Sequence, residues 1–416
     1  MNVTRLKLAN VRAVEAAEFA FKPGFNLIVG VNGVGKTTAL ESLAVCLAGV
    51  TRHVNRLRGP QHAFKIEDIR VPTDALTVEC DVDFGGTTYS YLVHTPRHTA
   101  VAQTKKAGLP REQTLDTPAK AEFIGKKPPL ADGERVRRPL AVLFSTRRAV
   151  PSDRAATKAA TAGGHAAAFA EAFGARELRL GEFASWIRAQ KALAEERPEA
   201  RHVLEAFESA VQRFLPGYSN LRVTDEGPVR LLIERRGVTV PVRQLSDGER
   251  GALALVLDLT RRLAQANPKV VDPAREGEAV VLIDEVDLHL HPKWQREIIK
   301  NLEAAFPRAQ FIATTHSPQV IGEVAHERIQ IMGRGQVFSP THSFGVDSSR
   351  VLEEIMDAPT RTAEVQSVLD DLSKQVAAKN LEEARRLVAT LAEHLGEDDP
   401  EVIRARTLLD FIGGDE

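Results

Sequence analysis

Two cysteines in 416 residues, Cys46 and Cys80, are too few for a disulfide framework or a cysteine-rich zinc site, and they suit a reducing interior. The sequence also lacks any apolar run near the ~20 residues needed to span a bilayer, and Met1 to Arg12 carries charges where a signal peptide would place its apolar centre. A cytoplasmic protein with no membrane partner is therefore expected. Neither sign of charge is in excess. The 55 Lys plus Arg against 56 Asp plus Glu leave a formal net charge of -1, which excludes holding nucleic acid or anionic membrane by bulk charge alone. Any such binding must be local. What remains, 43% apolar and 27% charged residues with 28 Gly and 22 Pro, is the composition of roughly two or three globular domains with a sizeable core.

Short apolar runs alternating with turns, at Val3 to Leu8, Ala17 to Phe21 and Phe25 to Val29, predict three strands before a glycine cluster. Helical spacing follows from Lys36 to Ala48, with Gly49 read as the stop. Leu76 to Phe84 and Thr88 to Val93, separated by Gly85-Gly86, predict a hairpin in an antiparallel subsheet. Periodicity is then absent from 97 to 138, ahead of the apolar strand Leu140 to Phe144. Across 97–148, twelve Lys plus Arg face five Asp plus Glu. Such a stretch is either a solvated loop or a surface for DNA phosphates, with Lys105, Lys106, Arg137 and Arg138 as the candidate contacts. Ala155 to Ala175 is low in complexity, a connector or loosely held helix. Two amphipathic helices without sustained heptads carry Phe183, Trp186 and Ile187, then Val203, Leu204, Phe207 and Val211, with a turn at Glu195 to Pro198. Strands are expected at Leu221 to Val223 and Val229 to Ile233. Residues 361–412 show two further helical stripes, with Asn380 as a cap, Gly396 as a stop and Asp399-Pro400 as a new start. From 353 to 416, sixteen acidic residues oppose seven basic ones, so DNA should avoid this end.

Gly30-Val31-Asn32-Gly33-Val34-Gly35-Lys36-Thr37 fits the P-loop pattern, in which backbone N–H groups curl around phosphates at a helix N-terminus. Gly30, Asn32, Gly33, Gly35, Lys36, Thr37 and Thr38 are the nucleotide-binding candidates. Lys36 would meet the β- and γ-phosphates and Thr37 would offer its hydroxyl to magnesium. Val280 to Ile283 is a continuous apolar run ending in Asp284-Glu285, which suits a buried parallel strand presenting two carboxylates. Asp284 would hold Mg2+, directly or through water, and Glu285 would orient or deprotonate the attacking water.

Leu245-Ser246-Asp247-Gly248-Glu249-Arg250, opening an apolar helix, resembles the signature motif of ABC-type ATPases, and His316 after the strand Gln310 to Thr314 resembles their switch histidine. The order is that of the class: phosphate loop, signature, acidic strand, Asp287, histidine. With Leu6 to Arg12 at the start and Asp287-Leu288-His289-Leu290-His291-Pro292 after the acidic strand, the chain is similar to the RecF, SMC and Rad50 branch. Within that branch it resembles AAA-like ATPases related to overcome-lysogenisation-defect proteins, including the ATPase subunit of Septu-type anti-phage systems. The resemblance implies an α/β P-loop ABC-type head, a mixed sheet with an antiparallel subsheet, a helical insertion and a C-terminal helical segment. The implied divisions are 1–150 for lobe I with the basic insert, 151–218 for the insertion, 219–345 for lobe II and 346–416 for the terminal helices.

That resemblance also implies ATP and Mg2+ as ligands, Glu285, His316 and Asp287 as catalytic residues, and a homodimer closed around ATP. Ser246 and Gly248, at the start of their helix, would then face the γ-phosphate on a partner copy's loop. Asp247 stands where transporters commonly have glycine; a carboxylate is compatible with that place if it points away or pairs with Arg250. The glutamine that normally follows a lobe I strand has no placed counterpart. Gln103 and Gln113 lie in the aperiodic stretch, while Arg147 and Arg148, just past Phe144, either act in its place or are surface arginines. His289 and His291 lack a Cys or acidic partner at zinc spacing, so ordering of the loop is the expected role. Past His316 there is no Asp-x-Asp pair with an upstream glutamate and no HNH arrangement, so any nuclease is expected on another polypeptide. The leading expectation is an ATP-hydrolysing, dimerising ATPase that controls a separate effector, a nuclease by preference, in bacterial anti-phage defence or DNA maintenance. The alternatives are a RecF-like recombination mediator and a nucleotide-gated scaffold with little turnover.

Overall fold

A computed structural model describes residues 1–58, 62–97, 119–131, 137–149, 165–174, 177–224, 229–333, 335–356 and 358–413. The chain forms two compact units, Met1–Val351 and Leu352–Glu416. The first begins with β1 (Asn2–Val11), β2 (Val14–Ala20), β3 (Phe25–Gly30), α1 (Lys36–Val54), β4 (Ala75–Phe84), β5 (Thr87–Pro96), β6 (Lys120–Ile124) and β7 (Leu140–Phe144). It continues through α2 (His165–Phe169), α3 (Leu180–Leu193), α4 (Pro198–Phe214), β8 (Tyr218–Val223), β9 (Leu231–Arg235), β10 (Val238–Pro241), α5 (Asp247–Ala266) and α6 (Pro273–Glu276). Then come β11 (Ala279–Ile283), α7 (Pro292–Ala305), β12 (Ala309–Thr314), α8 (Pro318–Ile321), β13 (Ile329–Gly333), β14 (Gln336–Phe338) and α9 (Ser348–Arg350).

These strands make an α/β architecture of three sheets. The central sheet runs β14-β13-β3-β12-β11-β7, parallel except for its β14 edge, and β3, β11, β12 and β7 are buried along their whole length. Burial on both faces is why β7 and β11 read as unbroken apolar runs, while β3 and β12 each carry a buried amide, Asn26 and Gln310, that is hydrogen-bonded to main chain. The antiparallel subsheet runs β2-β1-β4-β5-β6, and β10-β9-β8 is a separate three-stranded antiparallel sheet. Helix α1 joins the first two: Leu40, Leu43, Leu47 and Val50 share one core with Leu6, Leu8, Val78 and Val82 of the subsheet and with Val280, Leu282 and Ile312 of the central sheet.

Three expectations are corrected. Helix α1 runs through Gly49 to Val54. Gly49 serves packing there: a Cβ on it would collide with the Tyr91 hydroxyl and ring. Within the stretch that lacks periodicity, β6 pairs antiparallel with β5, and only Phe123 of its five residues is buried, which explains the missing alternation. Strand β10 is an addition to the expected pattern; it returns from β9 through Arg236 (φ 50) and Gly237 (φ 81), two left-handed residues as a tight hairpin requires.

The 20-residue helix α5 carries an ionic cluster in its interior. Asp258 accepts from Arg261 (2.7 Å) and Arg262 (2.8 Å), and the Arg262 guanidinium also donates to the carbonyls of Ala168 (2.5 Å) and Ala170 (3.0 Å). A buried charge that is paired and hydrogen-bonded is tolerable where an isolated one is not, and here the carboxylate is shared by two guanidinium groups. The cluster ties α5 to the short helix α2.

The second unit holds α10 (Ala363–Ala377), α11 (Leu381–Leu395) and α12 (Pro400–Gly413). Val365 and Leu372, Ala384, Val388 and Leu391, and Val402 and Leu409 form its own core. Asn380 caps α11, and Gly396 (φ 92) ends it. Among the described residues no helix is long and apolar enough to cross a membrane.

Candidate functional site

The loop from Gly30 to Gly35 joins the buried end of β3 to the first residue of α1, with Asn32 and Gly33 at its crest. Gly35 has φ 112, and a Cβ there would lie 2.5 Å from Val14 Cγ2, so no other residue fits. The first intrahelical bond of α1 runs from the Ala39 N–H to the Gly35 carbonyl (2.9 Å). The N–H groups of Lys36, Thr37 and Thr38 are therefore available to an anion at the positive end of the helix dipole. Lys36 is buried, and its ammonium donates to the carbonyls of Gly30 (2.8 Å) and Val31 (3.0 Å), leaving one N–H unspent. Burial lowers the Lys36 pKa from its ordinary value, opposed by the carboxylates of Asp284, Glu285 and Asp287.

Those carboxylates sit at and just beyond the end of β11. Asp284 is 7% exposed, and its oxygens lie 3.2 and 3.3 Å from the Thr37 hydroxyl. Thr314, at the end of the adjacent strand β12, is wholly buried; its hydroxyl donates to Asp284 Oδ1 (2.7 Å) and accepts the Glu285 N–H (2.7 Å). Thr315 in turn donates to Asp287 Oδ1 (2.6 Å), and the half-buried His316 is the next residue. Glu285 has φ 49, a left-handed conformation that a non-glycine residue adopts only when its surroundings hold it. A hydroxyl and a carboxylate, both hard oxygen donors facing each other, fit magnesium, which commonly takes one or two protein ligands and completes its shell with phosphate and water. Among the described residues no group of three or more His, Cys, Asp or Glu side chains gathers as an all-protein cage.

Arg148 lies within this site and is no surface residue: it is 6% exposed. Its guanidinium donates to the carbonyls of Asp284 (2.5 Å) and Glu285 (2.6 Å) and to those of Phe144 (3.3 Å) and Ser145 (3.0 Å). Burial pushes its pKa down to about 10, against the attraction of Asp284 and its neighbours, so it remains charged at neutral pH.

Ser246 is the N-cap of α5 in a reciprocal box with Glu249, and the bonds it makes, to Glu249 and Arg250, lie within the first turn. Asp247 pairs with Arg250. Gly248 meets the loop after the acidic strand so closely that a Cβ would collide with the His289 carbonyl. Glu249 also accepts from the Tyr218 hydroxyl (2.6 Å) and lies 3.4 Å from Arg235, tying the cap to the β8–β10 sheet. His291 caps α7 by accepting the Lys293 N–H (3.3 Å). Of the basic candidates, Arg137 donates to the carboxylate (2.6 Å) and carbonyl (3.1 Å) of Glu276, and the Arg138 main chain is held by the Asn267 amide. Lys105 and Lys106 lie outside the described residues, as do Gln103 and Gln113.

Sequence reasoning missed Thr314 and Thr315 and left Arg148 undecided. The available signal was a pair of hydroxyl residues closing an apolar strand just before the candidate histidine.

The family model described as AAA domain, putative AbiEii toxin, Type IV TA system matches residues 114–322, and a second AAA-domain model matches residues 5–143. The chain is 41% identical over 208 residues to the Retron Ec83 probable ATPase of Escherichia coli, a match covering 49% of this chain and 38% of that protein. Septu protein PtuA of Bacillus mycoides (strain KBAB4) is 42% identical over 89 residues, 20% of this chain and 12% of that one. The matches thus span well under two thirds of either relative. Among solved structures, the SMC head bound to the C-winged helix domain of ScpA aligns with 82% of this chain and 98% of its own at 15% identity and a TM-score of 0.49.

Proposed function

Because the chain belongs to the AAA-domain family described as putative AbiEii toxin, Type IV TA system, we propose that it binds ATP with magnesium and hydrolyses it at a site closed between two copies. The observation that carries this reading is the convergence of Lys36, Thr37 and Asp284, with the Thr37 hydroxyl 3.2 Å from the carboxylate at the mouth of an N–H-lined loop. The free N–H groups of α1 and the ammonium of Lys36 bind the β- and γ-phosphates. Thr37 and Asp284 hold magnesium, which when bound neutralises charge building on the phosphate oxygens. Glu285 accepts a proton from the attacking water. His316 and Asp287, ordered by the strand end at Thr314-Thr315, complete the γ-phosphate side.

Ser246, Gly248 and the N–H groups at the start of α5 serve the nucleotide of a second copy. The ion pair of Asp247 with Arg250 supports this, since it occupies the carboxylate that would otherwise repel a phosphate. Similarity to the retron and Septu proteins supports a place in anti-phage defence; a separate effector, a nuclease by preference, and DNA are the partners proposed with it.

Glu285→Gln tests the chemistry. Loss of a general base is worth roughly 100- to 10,000-fold, so phosphate release should fall by at least about 100-fold while ATP is retained and light scattering reports a dimer. Wild-type turnover in that variant, or a rate per chain unchanged by extreme dilution of the native protein, would overturn the reading.

A further inference from the structure

We infer that Arg148 is a positioning residue for ATP hydrolysis: its guanidinium fixes the backbone turn from which Glu285 reaches the reacting water. The inference rests on the ATPase reading above and adds to it a part that no motif supplies. Three observations carry it. Glu285 sits with φ 49 just past a fully buried strand, so its side chain leaves the strand end at an angle the chain would not choose unaided. The two carbonyls bracketing that residue's own φ and ψ, those of Asp284 and Glu285, both accept from Arg148, at 2.5 and 2.6 Å. The same guanidinium holds the carbonyls of Phe144 and Ser145, which anchors the turn to the end of β7.

The Arg148 fork reaches the Asp284 carbonyl from Nη1 and the Glu285 carbonyl from Nη2, two nitrogens held at a fixed separation in one plane, whereas the three donors of an ammonium radiate from one atom at the end of a flexible stem. Among the described residues the hydrogen bonds of Arg148 go to these four carbonyls and not to Lys36, Thr37 or the Asp284 carboxylate, so its grip is on the main chain at Asp284-Glu285 rather than on the groups that would touch nucleotide or metal. Its action is on the carboxylate of Glu285, through the main chain. A strut that merely braced the fold would weaken ATP binding and turnover together.

The test uses the full chain. Arg148→Lys should lower kcat about 10- to 100-fold while KM for ATP stays within about threefold, the pattern of a lost transition-state contribution. In the Glu285→Gln background the same substitution should change the residual rate by less than about twofold, because the group it positions is already gone. Guanidinium ion at tens of millimolar should restore part of the turnover of Arg148→Ala; where that variant fails to fold, Arg148→Lys alone decides. Additive losses with Glu285→Gln, or a KM that rises in step with the loss of kcat, would overturn the inference. A crystal structure of Arg148→Lys offers a readout without activity: Glu285 is expected to leave the left-handed region, and φ remaining near the native 49° would also refute the assignment. Failure of the native protein to release phosphate would instead strike the ATPase reading, and the crystallographic arm would still judge Arg148.

Discussion

Replacing Thr314 with valine keeps the shape of a wholly buried side chain and deletes one hydroxyl, which is both the donor to Asp284 Oδ1 and the acceptor of the Glu285 N–H. A hydrogen bond to a charged group is worth about 1.5–3 kcal/mol, and a buried N–H left unpaired costs about 1–3 kcal/mol. The two losses share one atom and do not simply add, so a stability cost of about 2–4 kcal/mol is expected. Asp284 would keep its place at the strand end but lose the bond that aims its carboxylate at Thr37. Partners of this kind typically contribute about 10- to 100-fold to metal affinity. Phosphate release titrated with free magnesium at saturating ATP should therefore show a half-saturating concentration raised by about that factor, with Thr314→Ser close to wild type. Valine at this position with an unaltered magnesium dependence and an unaltered melting temperature would refute the claim that Thr314 orients the metal carboxylate.

Two further outcomes follow from the fold and the charge pattern. Gly49→Ala should lower the melting temperature by several degrees, because overpacking against Tyr91 costs about 1–3 kcal/mol and exceeds the ~1 kcal/mol that alanine brings to an open helix; a rise would return Gly49 to the role of helix stop. Replacing Lys105, Lys106, Arg137 and Arg138 together with alanine should weaken DNA binding in an anisotropy assay and flatten the slope of log affinity against log salt by up to about 0.9 for each phosphate no longer neutralised. Arg137, already committed to Glu276, should account for little of the change, and unaltered affinity would assign the stretch to solvent.

The parallel strands and the two elements framing the phosphate loop are legible in the sequence because burial on both faces leaves little choice but Val, Ile, Leu, Phe and Ala, as in Val280 to Ile283. The terminal helices are legible through their 3.6-residue stripes and through Asn380 and Gly396. Strands β6 and β10 are not, since each buries one residue or none and so lacks alternation. Gly49 misleads for a physical reason: glycine ends helices and also admits a neighbouring ring, and only the position of Tyr91 separates the two. Arg148 is legible only as one of two alternatives and Thr314 only as a hydroxyl closing its strand, because what they touch is main chain or a carboxylate just past another strand, brought near by β7–β11 and β11–β12 pairing. No local pattern encodes such a meeting.

Glu249 receives the Ser246 cap on one oxygen, and on the other it takes the Tyr218 hydroxyl with Arg235 close by. One carboxylate is thus the junction at which an outer hairpin and the mouth of a long buried helix share a restraint. Tyr218 and Arg235 hold one oxygen of the carboxylate whose other oxygen keeps the helix entrance capped. The small β8–β10 sheet and the start of α5 are thus joined through one side chain.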